Sequence, residues 1–144
     1  MRQVRYVIIG CGMIAKYHVA AIENCAEAQA VGVYGTDPTR TGEFAKQHGL
    51  AVYPEAADIW ADGDVDAVCI CTPSGFHAAY ALEAIEHGKH VLIEKPMALT
   101  VSDLEDTVDA LSEELEDVVS FLEDSEDDED EDEDEEIYEV VCPT

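Results

Sequence analysis

Five short apolar segments rich in β-branched residues recur along the first 93 residues, and each is separated from the next by a polar or helix-like segment. The apolar segments are Val4 to Ile9, Ala30 to Tyr34, Leu50 to Tyr53, Ala67 to Cys71 and His90 to Ile93. Helical patterns lie at about 13–24, 39–48, 55–61 and 75–87. Alternating strands and helices are typical of a parallel sheet with helices on both faces. Continuous apolar runs such as AVCIC also indicate this arrangement, because strands buried on both faces do not alternate apolar and polar residues. The predicted fold class is therefore α/β, with one doubly wound parallel sheet.

The net charge of −27 is concentrated at the carboxyl end of the chain. Residues 1–100 hold all 7 Lys and Arg but only 12 of the 34 Asp and Glu. A long helix is predicted from Thr100, and its apolar residues alternate three and four positions apart. They are Val101, Leu104, Val108, Leu111, Leu115, Val118 and Leu122. We expect the first half of this apolar face to pack on the sheet. The second half could instead pair with a partner helix, although acidic flanks disfavour a homodimer.

Three parts are therefore predicted along the chain. Residues 1–122 form one domain that includes the long amphipathic helix. Residues 123–136, EDSEDDEDEDEDEE, contain no apolar residue, and we expect them to be disordered. Residues 137–144 contain a strand-like run that either docks as an extra strand or remains loose. The acidic tail could solubilise the chain, bind a basic protein partner, imitate nucleic acid, or result from a frameshift or fusion.

Composition also argues against several classes of protein. No apolar stretch approaches the roughly 18 residues of a membrane span, so no membrane association is predicted. The acidic tail would repel phosphate, which argues against nucleic-acid binding. Five cysteines without a CxxC pair support neither a disulfide framework nor a zinc knuckle. No metal site is predicted, and a reducing cytoplasm is the simplest location.

The segment GCGMIA, from Gly10 to Ala15, joins the first predicted strand to the first predicted helix. This is the context that a dinucleotide-binding fingerprint requires. Gly10 would permit a sharp turn, Gly12 would let the backbone approach a pyrophosphate, and Ala15 would let helix and strand pack closely. Met13 and Ile14 open the helix, whose free amides would face the phosphate charge. A purely structural turn fits the same residues.

The fingerprint also requires a carboxylate about 20 residues further on, to hold the ribose hydroxyls. Counting from Ala15 reaches Gly35, with Thr36 and then Asp37 after it. The expected carboxylate is therefore missing from its place, while Arg40 could face a 2′-phosphate. NADP is predicted at least as readily as NAD. The alternative is that Asp37 only caps a helix and Arg40 faces solvent.

Two more motifs follow strands, CTPSGFH after the fourth and EKPMALT after the fifth. In the strand order 3-2-1-4-5, strands 1, 4 and 5 are neighbours, and ligands bind at their carboxyl ends. The segments around Gly10, Thr72 and Lys95 should therefore meet at one edge of the sheet. Pro96 favours an extended conformation for Lys95, whose ammonium group could then transfer a proton or polarise a carbonyl. Lys95 could equally be a surface residue paired with Glu94.

These motifs together resemble the glucose–fructose oxidoreductase, inositol dehydrogenase and MocA family over about residues 4 to 111. The matching residues are Gly10 to Ala15 with His18, Thr72 and Pro73 with His77, and Glu94, Lys95 and Pro96. The resemblance implies a Rossmann domain that binds NAD or NADP, with Thr72, Pro73 and His77 beside the nicotinamide and with Glu94 and Lys95 near the cofactor. It also implies that Lys95 reaches the reacting hydroxyl or carbonyl. Without the family resemblance, His77 would be interpreted as a polar residue at a helix start, and His18 as a residue on a helix surface.

Family members continue into a sixth strand and a second domain that supplies most of the substrate site and a catalytic Asp and His pair. No histidine follows His90 in this chain. We therefore expect a chain shortened before the substrate domain, and an inefficient dehydrogenase on its own, because rate depends on positioning and water exclusion. The predicted function is the NAD(P)-binding domain of an oxidoreductase acting on CH–OH groups of sugars, polyols or their derivatives. The alternative is a noncatalytic dinucleotide-binding or interaction module whose acidic tail binds a basic partner.

Overall fold

The computed structural model describes residues 2–126, without the side chains of residues 114 and 117–126. The predicted terminal strand-like segment, 137–144, and residues 127–136 of the acidic segment lie outside this range. Within the described range, no helix is both long enough and apolar enough to cross a membrane.

Five parallel strands form one sheet in the order β3-β2-β1-β4-β5, as predicted. The strands are β1 Val4–Ile9, β2 Ala28–Tyr34, β3 Ala51–Val52, β4 Ala67–Ile70 and β5 His90–Ile93. The helices are α1 Ala15–Glu23, α2 Pro38–His48, α3 Ala56–Ala61, α4 His77–Glu86 and α5 Val101–Glu126. A short 3-10 helix, Ser74–Phe76, leads into α4. The doubly wound α/β fold class is confirmed.

The core lies on both faces of the central strands β1 and β4. On one face, Val7 and Ile70 pack with Ile59 and Trp60 from α3. On the other face, Ile8 and Cys69 belong to a second cluster with apolar residues of α1 and α2, namely Ala15, Val19, Ile22, Phe44 and Ala45. All four residues of β4 are buried. This double-sided burial explains why the sequences of these strands are continuously apolar.

Helix α2 shows how local sequence sets the position of a loop at the edge of the sheet. The Asp37 carboxylate accepts hydrogen bonds from the amides of Thr39 and Arg40, at 3.0 and 3.1 Å. Pro38 occupies the first turn, where no intrahelical donor is needed, and Gly49 ends the helix in the left-handed region at φ 68°. The cap holds Asp37 and Arg40 at the carboxyl end of β2.

Helix α5 departs from the expected packing. It lies against α4, and among its described side chains the fully buried one is Thr107 rather than a member of the apolar series. Val101 is 72% exposed and Leu104 43% exposed, so the expectation that the first half of the apolar face packs on the sheet is wrong. The physical reason is that α4 already contacts β4 and β5, which leaves α5 to pack on α4. The helix continues past residue 122 to Glu126.

Candidate functional site

A cleft of about 380 Å³ opens at the carboxyl ends of β1, β2 and β4. This is the edge of the sheet at which doubly wound folds bind ligands. Its walls come from three loops and the start of α4. The lining residues are Ile9, Gly10, Cys11, Gly12, Met13, Ile14, Tyr34, Gly35, Thr36, Asp37, Arg40, Cys71, Thr72, Pro73, Phe76 and Tyr80.

The glycine turn after β1 forms the floor of the cleft. Gly10 has φ +99°, and a Cβ there would lie 2.8 Å from the carbonyl oxygen of Cys71 and 2.9 Å from the amide nitrogen of Thr72. Only glycine therefore lets the loops after β1 and β4 come this close. Gly12 differs, because its Cβ would meet only the Cys71 oxygen, at 3.9 Å. Ala15 is fully buried between helix and sheet.

Two polar features next to this turn lack a side-chain partner within the described part of the chain. Helix α1 begins after Ile14, which offers no side-chain cap, so its first amides lack a side-chain acceptor. The Thr72 hydroxyl is buried and has no hydrogen-bond partner within the described part of the chain. Uncapped amides at a helix start attract anions, and an unpaired buried hydroxyl is costly unless a ligand or water meets it. The cleft therefore offers donors suited to a phosphate-containing ligand.

An aromatic wall closes one side of the cleft. The rings of Tyr34 and Tyr80 pack edge to face, with centroids 6.3 Å apart. Burial, assisted by Tyr34, raises the pKa of Tyr80 to about 12, so its hydroxyl stays protonated at neutral pH. Phe76 lies beside them and is 57% exposed. The sequence prediction missed this wall, although the position of Tyr34 at the end of β2 was a usable signal.

The end of β2 carries the residues expected to select the cofactor. Thr36, Asp37 and Arg40 all line the cleft. The alternative interpretation of Asp37 as a helix cap agrees with the structure, since the carboxylate accepts hydrogen bonds from the first amides of α2. Gly35 leaves no carboxylate at the fingerprint position, and a Cβ there would lie 2.6 Å from the Thr41 hydroxyl oxygen. Arg40 is exposed at the mouth of the cleft.

His77 is buried beneath the cleft rather than in its lining. Its Nε2 lies 2.8 Å from the Thr72 carbonyl oxygen, and its Nδ1 lies 2.8 Å from the Pro96 carbonyl oxygen. The imidazole thus ties the loop after β4 to the loop after β5. The interpretation of His77 as a merely polar residue at a helix start missed this connection, because one partner, the Pro96 carbonyl, comes from another segment.

Glu94 and Lys95 follow β5 beside the cleft but outside its lining. The Glu94 carboxylate lies 2.7 Å from Nε2 of His18, on α1. The pKa of Glu94 lies below its ordinary value, chiefly because of this hydrogen bond and also because the Lys95 amide donates to the carboxylate. Lys95 itself is exposed. The segments around Gly10, Thr72 and Lys95 therefore meet at one edge of the sheet, as expected, while the lysine ammonium lies at the surface.

Comparison with known proteins agrees with this geometry. Residues 4–121 match the model of an oxidoreductase family with an NAD-binding Rossmann fold, GFO_IDH_MocA. Scyllo-inositol 2-dehydrogenase (NADP(+)) IolU of Bacillus subtilis is 32% identical over 74% of this chain. Inositol 2-dehydrogenase 3 of Saccharopolyspora erythraea is 37% identical over 76% of it. The WlbA dehydrogenase of Chromobacterium violaceum, solved with NADH and UDP-GlcNAcA, superposes with a TM-score of 0.74 at 34% identity over 78% of this chain.

The matched region is a fraction of each relative. The chain spans 33% of the Bacillus enzyme, 32% of the Saccharopolyspora enzyme and 33% of the WlbA chain. The chain therefore spans about a third of the length of these relatives. Because the family match covers most of the chain and the fold agrees with it, the chain belongs to the GFO_IDH_MocA oxidoreductase family, and its described part is that family's NAD-binding Rossmann domain.

Proposed function

We propose that this chain binds NAD(P)H in the cleft above the glycine turn and serves as the cofactor domain of an oxidoreductase that acts on CH–OH groups of sugars, polyols or their derivatives. The observation that carries the proposal is the combination of open space at Gly12 with the unpaired Thr72 hydroxyl and the uncapped start of α1. Those groups suit a pyrophosphate. The bound dinucleotide would supply hydride chemistry, and the chain would supply its orientation.

NADPH is the proposed preference over NADH. The ribose carboxylate of NAD-specific domains has no counterpart at Gly35, and Asp37 is engaged as a helix cap. Arg40 lines the same end of the cleft, and a guanidinium pairs well with a phosphate group. The Bacillus relative, whose name specifies NADP(+), supports this preference.

Lys95 is the proposed proton-transfer residue. It leaves the end of β5 as an exposed cation next to the Glu94 carboxylate, at the edge that also carries the cleft. An ammonium group in this place can polarise a carbonyl or exchange a proton with a hydroxyl during hydride transfer. Efficient turnover further requires a wall that closes over the substrate, which the relatives, with about three times the matched length, have room to supply.

Titration of the purified chain with NADPH and NADH, followed by calorimetry, tests the proposal. We expect saturable 1:1 binding of both, with NADPH the tighter ligand. The control is Gly63→Ala, because a Cβ at Gly63 meets no atom within 4 Å and Gly63 is not a lining residue. That variant should bind like the wild type. Absence of saturable binding to either dinucleotide in a folded sample would refute the proposed function.

A second candidate function is a noncatalytic dinucleotide-binding module whose acidic tail binds a basic protein. The observation that favours it is charge, since residues 101–144 contain no Lys or Arg and most of the acidic residues of the chain. Deleting residues 127–144 separates the two functions. Cofactor affinity should survive the deletion, while binding to a lysine-rich peptide at low salt should be lost. Equal peptide binding by both chains would exclude the tail as the binding element.

A further inference from the structure

Three side chains with metal-binding atoms meet beside the cleft, whose lining includes one of them, Cys71. His18 comes from α1, Cys69 lies in β4, and Cys71 follows β4. One ligand atom of each residue lies within 4.8 Å of the others. Cys69 is fully buried, and Cys71 is 5% exposed. Residues two apart on a strand point to the same face, which is why both thiols turn toward α1.

The distance between the two sulfur atoms distinguishes among the possible roles of the pair. The Sγ atoms are 3.6 Å apart. A disulfide requires about 2.05 Å, and its Cα atoms are usually about 4.4–6.8 Å apart. Residues two apart on a strand are separated by about 6.6 Å, near the upper end of that range. Two thiolates bound to one tetrahedral zinc ion, each at about 2.3 Å, lie about 3.8 Å apart. The observed spacing is therefore close to that of a metal-bridged pair.

His18, the third residue of the cluster, has a hydrogen-bonded carboxylate, which is a usual companion of a metal-binding histidine. His18 Nε2 lies 2.7 Å from the Glu94 carboxylate, and both side chains are about one-fifth exposed, at 22% and 21%. A carboxylate bonded to one ring nitrogen orients the imidazole and raises the basicity of the other nitrogen. Glu94 therefore serves the cluster as this partner of His18. The partial exposure of the His18 and Glu94 pair also provides a path for an ion to enter.

We propose that His18, Cys69 and Cys71, with Glu94 beside them, form a binding site for a thiophilic divalent cation of the zinc type. Two thiolates and an imidazole suit such an ion better than Mg²⁺ or Ca²⁺. The sequence prediction of no metal site relied on the absence of CxxC pairs. It did not consider thiols two apart on a strand or a histidine from another element. The inference rests on side-chain atoms other than those proposed to hold the dinucleotide, although Cys71 belongs to both the cluster and the cleft lining.

Cobalt titration of the full reduced chain tests the site. Co²⁺ bound by thiolates gives an intense charge-transfer absorption in the near ultraviolet, whereas carboxylates do not. The charge-transfer absorption therefore does not detect loose binding of cations to the carboxylates of the acidic tail. We expect this absorption to saturate at one Co²⁺ per chain and to disappear when Zn²⁺ is added. Cys69→Ser and Cys71→Ser should each lower the absorption at saturation at least twofold and weaken Co²⁺ affinity at least tenfold.

The matched control is Cys25→Ser, because Cys25 is an exposed free thiol outside the cluster. It should titrate like the wild type. Circular dichroism establishes whether each variant is folded, and His18→Asn serves as a further variant if the serine variants unfold. A folded wild-type chain without the charge-transfer band would overturn the proposal and identify the two thiols as only a hydrogen-bonded pair. A band that persists in folded Cys69→Ser and Cys71→Ser would overturn it as well.

Discussion

Two glycines in the same turn should respond in opposite ways to the same substitution. A methyl group at Gly10 would stand 2.8–2.9 Å from backbone atoms of Cys71 and Thr72, at a φ of +99°. The left-handed backbone costs a non-glycine residue about 1 to 3 kcal/mol. Overpacking against backbone that cannot easily move adds about 1 to 3 kcal/mol. Gly10→Ala should therefore lower the free energy of unfolding by about 2 to 6 kcal/mol.

Gly12→Ala is the matched substitution. The nearest atom to its Cβ would be the Cys71 oxygen at 3.9 Å, which is an ordinary contact. Loss of backbone freedom in the unfolded chain should leave stability unchanged or raise it by up to about 1 kcal/mol. The methyl group would instead occupy the space needed by a pyrophosphate. We expect NADPH affinity to fall at least about tenfold, which corresponds to about 1.4 kcal/mol.

Urea unfolding followed by circular dichroism measures the first effect, and calorimetric titration with NADPH measures the second. A loss of about 2 to 6 kcal/mol is a large share of the about 5 to 15 kcal/mol typical of a domain, so Gly10→Ala should be easily distinguished from wild type. The reasoning is refuted if Gly10→Ala unfolds at the wild-type urea concentration. It is also refuted if Gly12→Ala binds NADPH as tightly as wild type.

Three further predictions follow from single contacts. Asp37→Ala removes the cap of α2 and should lower the free energy of unfolding, measured by urea denaturation, by about 1 kcal/mol. Asp37→Asn can still cap the helix, so its free energy of unfolding should stay within about 0.5 kcal/mol of the wild-type value. Arg40→Ala should weaken NADPH binding about tenfold in calorimetry with little effect on NADH binding. Lys46→Ala is the control, because Lys46 lies on the same helix but outside the cleft lining, and it should change the affinity for neither dinucleotide. Equal losses of affinity for both dinucleotides in Arg40→Ala would contradict the proposed 2′-phosphate contact. The Tyr53 hydroxyl donates a hydrogen bond to the Asp62 carboxylate at 2.7 Å. This hydrogen bond is the main reason why the pKa of the Asp62 carboxyl lies below its usual value of 3.8. This contact stabilises the fold above about pH 4 and its contribution is lost as the pH falls through the lowered pKa. The difference in thermal stability between wild type and Tyr53→Phe should therefore be full at pH 6 and shrink below pH 4, and a constant difference across that range would exclude the contact as its source.

Local sequence was sufficient wherever a feature depends on neighbours along the chain. The alternation of strands and helices and the role of Gly10 followed from periodicity and from the conformational freedom of glycine. The Asp37 helix cap could be predicted from the sequence because its hydrogen-bond donors are the amides two and three residues later. Helix α5 marks the limit, since a regular apolar spacing defines a face but does not identify the surface that covers it.

Features of the site that join distant segments were decided only in the tertiary structure. His18 bonds to Glu94, and His77 bridges the loops of Thr72 and Pro96, so neither is the isolated polar residue that its local context suggested. Likewise, the aromatic wall pairs a strand residue with a helix residue far along the chain. The sequence by itself determined the α/β sheet and the glycine turn, because backbone conformation and burial pattern are local properties. Which side chains face one another across that sheet depends on how the strands stack side by side, and no segment contains that information alone.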